Sequence, residues 1–207
     1  MDSLAEALVA PLGYLFEPNR RLYWLFLLSS LLLASITVSL QAGRFDIRAQ
    51  VGSLLQRSYW LNRSTAIDVC LLFINSAFRL LLVVPVLGSH LSATILVGSF
   101  LQDSFGDAPV LALPALAIGL AYTLVFFICE DWSRFTLHLA MHKCPWLWRV
   151  HRLHHSATTL TPLTVHRVNP LEMSLYYLRG LLVFALVSGV FLYLFRNKLN
   201  VWTILGV

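Results

Sequence analysis

The 207-residue sequence has little charge: only 12% of it is Asp, Glu, Lys or Arg, while 58% is hydrophobic. A soluble domain carries about twice that charged share, and the mean hydropathy of +0.74 points the same way. Cysteine is scarce as well. Cys70, Cys129 and Cys144 are widely spaced, with no CxxC pair, so nothing suggests a disulfide framework and the three read as small buried hydrophobes. The net charge is +5, but no basic run is interleaved with aromatics, which argues against nucleic acid as a partner. Basic residues beside apolar blocks set membrane orientation and meet anionic head groups instead. A basic leader is also missing. Met1 to Glu17 opens with Asp2 and Glu6, unlike a cleavable signal. There Leu4, Leu8, Leu12 and Leu15 approach helical spacing and predict an interfacial helix, weakened by Pro11. No internal repeat or low-complexity stretch appears, so residues 1–207 read as one membrane domain.

What the sequence does have is long apolar blocks. A helix crosses a bilayer with roughly 20 apolar residues, and blocks of that length run over about 22–40, 66–87, 110–129 and 174–195. The expected fold class is an all-α integral membrane protein with about four transmembrane helices. Arg79 lies in the second block and should face protein, water or a head group. Leu91 to Leu101 is too short to cross alone and reads as a re-entrant or interfacial piece. Pro114 is tolerable in a membrane helix. Arg196, Asn197, Lys198 and Asn200 resemble a turn, and residues 201–207 start a further apolar run. Lys and Arg number four in 41–65, five in 131–172 and none in 88–109. Two crossings separate the basic segments, so the positive-inside rule places both in the cytoplasm. The N-terminus then lies outside, against which Arg20 and Arg21 argue mildly. The polar segment 130–173 is expected to face the cytoplasm.

Six of the seven histidines fall between His138 and His166. His138 and His142 form HxxxH, and His151, His154 and His155 form HxxHH. On a helix, residues i and i+4 share a face, so two such helices meeting at a bend near Pro145 could present five imidazoles to one volume. One HxxxH is common by chance; the second pattern nine residues later is much rarer. His90 and the tryptophans Trp132, Trp146 and Trp148 read as interfacial residues. Imidazole suits zinc, iron, copper and nickel. The zinc-protease signature needs Glu where Leu139 stands, and membrane haem proteins spread their axial histidines singly. A many-histidine site beside an apolar compartment fits non-haem iron that activates oxygen against a lipid C–H bond. A metal transporter would need polar residues lining the spans, and Asp68, Asn75 and Arg79 are the only notable run.

The stretch DWSRFTLHLAMHKCPWLWRVHRLHHSATTLTPLTVHRVNPLE, Asp131 to Glu172, resembles the fatty acid hydroxylase/sterol desaturase superfamily of membrane di-iron oxygenases. The pattern has an aspartate ahead of HxxxH, a Pro–x–Leu–Trp element, HxxHHS, an arginine and Pro–x–Glu. Here these are Asp131, Pro145, Leu147, Trp148, Ser156, Arg167, Pro170 and Glu172. The resemblance implies a cytoplasmic helical cap over membrane helices. It also implies two iron ions held by His138, His142, His151, His154 and His155, with a membrane lipid as substrate and an electron-donor protein as partner. Asp131, Arg167 and Glu172 would orient or pair with neighbours rather than bind metal.

Two departures stand against the pattern. Many members have histidine where this chain has Asn169, a poor substitute for an imidazole, with His166 nearby as the candidate to compensate. Members also carry a further histidine box beyond another membrane hairpin, whereas no histidine follows His166 here. The ligand set in these residues is therefore expected to be incomplete, as in a chain missing its C-terminal part. The alternative is a non-catalytic relative or partner subunit that keeps half a metal site.

Overall fold

In the computed structural model the described residues are 2–44, 47–108, 111 and 113–195. They are mostly helical, with no strand among them. The helices are α1 (Asp2–Gly13), α2 (Trp24–Ala42), α3 (Ile47–Leu54), α4 (Arg57–Trp60), α5 (Arg63–Phe78), α6 (Val84–Leu87), α7 (His90–Phe105), α8 (Ala115–Lys143), α9 (Pro145–His151) and α10 (Pro170–Phe195). A π-helical turn, Arg79–Val83, joins α5 to α6, and 3-10 turns cover His154–Ser156 and Pro162–His166. Four stretches are long and apolar enough to cross a membrane: Trp24–Ala42, Arg63–Phe105, Ala115–Lys143 and Pro170–Phe195. The expected all-α membrane protein is what these helices make. The turn expected at Arg196–Asn200 and the apolar run 201–207 lie outside the described residues.

The chain divides into two compact units. The first comprises residues 1–81 and 149–172. In it α1 forms as the leucine spacing predicts, with Pro11 inside its last turn. The helix docks on α5: Tyr14, Leu22 and Leu72 form a buried cluster flanked by Ala10, Leu27 and Leu163, and the Tyr14 hydroxyl lies 3.2 Å from Ser76 Oγ. Asn62 caps α5 by accepting from Thr65 N–H at 2.9 Å. Behind α2, Gln50 of α3 bonds Ser35 and donates to Ser39 Oγ at 3.1 Å. These polar contacts hold a short helix against an apolar one, as hydroxyls and amides do between membrane helices.

Helix α5 turns the usual amphipathic rule inward. Ser64, Thr65, Asp68, Leu72, Asn75 and Ser76 are its buried residues, recurring at three- to four-residue spacing, so one face of the helix is both buried and largely polar. That face carries the connection between α9 and α10. Ser64 Oγ accepts from the Thr158 and Thr159 N–H groups at 3.3 Å, Asn75 Nδ2 donates to Val168 O at 2.8 Å, and Tyr59 of the preceding α4 adds a bond to Leu160 O at 2.8 Å. Every one of these partners is a backbone group of an irregular segment, which needs hydrogen bonds wherever it is removed from water. Arg79 is exposed at the start of the π-turn and takes no place in this stripe.

The second unit comprises residues 82–148 and 173–207. Its helices α7, α8 and α10 pack side by side. Contacts rise together along α7 and α10: His90 lies against Tyr177 and Phe184, and Gly98 faces Leu192. The two helices are therefore parallel. Along α8 they run in opposite order, from Tyr122 with Ser188 to Glu130 with Arg179, so α8 is antiparallel to α10. The segment Leu91–Leu101, expected as a re-entrant or interfacial piece, forms the body of α7, which packs along α10. Close approach comes from glycine: a Cβ on Gly189 would lie 2.5 Å from Val97 Cγ1 and 3.2 Å from Thr94 O. Small residues let membrane helices gain van der Waals contact where the hydrophobic effect offers none. Glu130 then locks α8 to α10. Arg179 forks onto both of its carboxylate oxygens at 2.7 Å and donates to Ser133 Oγ at 2.8 Å, while Arg134 adds a bond of 2.6 Å from one helical turn away.

Candidate metal centre

The first histidine pair sits on α8. The i,i+4 spacing brings His138 Nε2 within 3.2 Å of His142 Nε2. The His142 ring also packs on Trp148 at 5.4 Å between centroids, and the Tyr176 hydroxyl of α10 lies 3.4 Å from His138 Nδ1. Trp148, expected from the sequence only as an interfacial residue, thus has a neighbour within the histidine motif.

The second motif starts on α9 and finishes in a 3-10 turn. His151 ends α9, and His154 and His155 lie in the turn His154–Ser156. The helix thus stops before the last two imidazoles, a departure from the single helical face expected. The rings stay together all the same, with centroid separations of 4.9 to 5.6 Å among His151, His154 and His155. His155 Nε2 approaches His151 Nε2 at 3.1 Å. On the other side of the same ring, His151 Nδ1 meets Glu172 Oε1 at 2.7 Å, in a pair whose side chains are 1% and 3% exposed. When Nδ1–H donates to that carboxylate, Nε2 is left with its lone pair and a fixed direction.

These donors fit a transition metal. Two nitrogens each about 2.1 Å from one ion, at right-angle to tetrahedral spacing, stand about 3.0 to 3.4 Å apart, and both Nε2 pairs fall in that range. A carboxylate on the far nitrogen of a ligating histidine is the usual outer partner that sets tautomer and basicity. His154 Nδ1 and Glu172 Oε2 are buried with no hydrogen-bond partner among the described residues. Each such orphan costs about 1–3 kcal/mol, and a cation is the kind of group that relieves it. The donor set of imidazoles with a neighbouring carboxylate suits iron or zinc.

The remaining candidates have other surroundings. Asn169 Oδ1 accepts from the Leu171 N–H at 2.9 Å. It caps α10 with Pro170 next in line, a favoured pairing at a helix start. Arg167 is 1% exposed and donates to Asp68, Ser64 and Ser156. His166 packs its ring on Tyr14 at 6.1 Å. Burial holds its pKa down at about 4, and the charges of Arg21 and Arg20 add to the effect. Asp131 is exposed on α8; the engaged carboxylate is its neighbour Glu130. In the sequence Asp68 and Asn75 stand out only as part of a sparse polar run with Arg79, and nothing there singles out Ser64, Glu130 or Arg179. The signal available was periodicity: polar residues at helical spacing inside an apolar span.

The fold and the site together define an all-α integral membrane protein carrying two histidine motifs. A family model described as fatty acid hydroxylase matches residues 123–206. That match agrees with the resemblance of residues 131–172 to the fatty acid hydroxylase/sterol desaturase superfamily, whose members are oxidoreductases that act on lipids and are typically iron-dependent. Neither the curated proteins nor the solved structures include a match to the chain.

Proposed function

We propose that the chain is an oxygen-dependent hydroxylase or desaturase of a lipid C–H bond. His138, His142, His151, His154 and His155 would hold two iron ions on the cytoplasmic side of the membrane. The observation that carries this reading is the pairing of Nε2 atoms at 3.1 and 3.2 Å within the two motifs, with Glu172 on the far side of His151. When bound, iron supplies the redox chemistry. In a hydroxylation, dioxygen, two electrons and two protons convert C–H to C–OH and one water, the electrons coming from a donor protein. The chain's own residues do the rest. Glu172 keeps the His151 proton on Nδ1. Trp148 packs against His142 and restricts its ring. The apolar faces of α7, α8 and α10 offer the lipid-side surroundings that exclude water.

The test is expression of the full chain in membranes, with iron measured by elemental analysis and lipids profiled under 18O2. An iron-loaded protein yielding an 18O-labelled or newly unsaturated lipid is the expected result. Iron should be lost on changing His151 or His154 to Ala. Unchanged iron in both variants would sink the assignment of these ligands. Iron retained with no altered lipid would favour a non-catalytic relative or partner subunit.

A further inference from the structure

We propose that Asp68 of α5, with Ser64, positions the second histidine motif by acting through Arg167. The proposal rests on the metal-site reading above. His154 and His155 lie in a three-residue 3-10 turn, a structure with poor hydrogen-bond geometry and little stability of its own. Between α9 and α10 the chain has only that turn and a second one at Pro162–His166. Something outside the segment must set where the two imidazoles stand.

Arg167 supplies the link. Its Nη1 reaches Ser156 Oγ, the residue after His155, at 3.4 Å. Its Nε donates to Asp68 Oδ1, and its Nη2 donates to Ser64 O and, at 2.8 Å, to Ser64 Oγ. Asp68 uses its other oxygen to accept from Thr164 Oγ1 at 2.9 Å. Ser64 Oγ also accepts from the Thr158 and Thr159 N–H groups. One turn of α5 thereby grips the segment at 158–159, at Thr164 and at Arg167, and Arg167 in turn holds Ser156. Asp68 is fully buried and Arg167 is 1% exposed.

Stability alone does not call for an ion pair here. A buried pair recovers little beyond its desolvation cost, and apolar residues of like volume are often as stable. What the pair provides that apolar residues cannot is direction: a planar fork with donors aimed at acceptors on three residues, Asp68, Ser64 and Ser156. Asp68 and Ser64 lie outside the matched residues 123–206, so the family match assigns them nothing.

The experiment uses the full chain in detergent, with Co2+ as the metal probe and two readouts. These are the visible absorption of bound Co2+, which reports ligand geometry, and amide hydrogen exchange over 153–168. Asp68→Ala leaves Arg167 buried without its main partner and is at risk of misfolding. The double variant Asp68→Leu/Arg167→Met therefore carries the test, because it removes both charges and should keep the helices. Loss of an outer partner costs about 10-fold or more in metal affinity. The expected outcome is a helical, monodisperse double variant that binds Co2+ about 10-fold more weakly, with a changed spectrum and faster exchange over 153–168. Asp68→Asn, which keeps an acceptor for Arg167, should restore part of the loss. A double variant with wild-type spectrum, affinity and exchange overturns the proposal. If the wild type takes up no Co2+, the metal-site reading fails. Exchange then decides the anchor alone: faster exchange supports it and unchanged exchange refutes it.

Discussion

Replacing Glu172 isolates one contact at the candidate metal centre. Its Oε1 lies 2.7 Å from His151 Nδ1, with both side chains out of water. In Glu172→Ala the His151 ring loses the group that fixes its tautomer and direction. Outer partners of this kind are worth about 10–100-fold in metal affinity, which is about 1.4–2.7 kcal/mol. Glu172→Gln keeps an acceptor oxygen but not the charge. A charge-assisted bond is roughly twice as strong as a neutral one, so the amide should retain half the free energy and lose only about 3–10-fold. Titration of purified protein with Co2+ at neutral pH, followed by absorption, measures both variants. An unchanged affinity in Glu172→Ala would refute the role assigned to the carboxylate. Equal losses in both variants would refute the share assigned to its charge.

Three further outcomes are expected. Asn169→Ala should lose a helix cap worth about 0.5–2 kcal/mol and speed exchange at the start of α10. Its metal content should stay within about twofold of wild type, whereas a ligand would lose far more. Gly189→Leu should destabilise the α7–α10 packing by about 1–3 kcal/mol, the usual cost of overpacking, as read by unfolding in mixed detergent. Val97→Ala should not rescue it, because Val97 Cβ itself would stand 2.6 Å from the new Cβ. The depressed pKa of His166, about 4 against the ordinary 6.5 of a histidine, means that only the unfolded chain takes up its proton between those values. Stability should therefore be full above pH about 6.5 and fall as the pH drops towards about 4. His166→Gln should remove that part of the pH dependence, and an identical profile in the variant would contradict it.

Some of this architecture was legible because it depends on local spacing or on composition. Apolar runs of bilayer length mark helices whatever they pack against, and four stretches long and apolar enough to cross a membrane are present among the described residues. Their ends moved: α8 continues through His138 and His142 to Lys143, because helical hydrogen bonds do not stop where hydropathy falls. The i,i+4 relation put His138 beside His142 by helix geometry alone. The same rule failed beyond His151, where the chain leaves the α-helix and tertiary contacts keep His154 and His155 near it.

By itself the sequence determined a helical membrane protein with two histidine motifs, since periodicity and apolar length act over a few residues at a time. Tertiary structure decided which side chains serve those motifs. Asp68 meets Arg167 across 99 positions and Asn75 meets Val168 across 93, and no local pattern couples residues so far apart. Asn169 likewise stood out in the sequence only as a departure from histidine. Its oxygen proves to be engaged with the first turn of α10, because a helix start leaves N–H groups that must find acceptors.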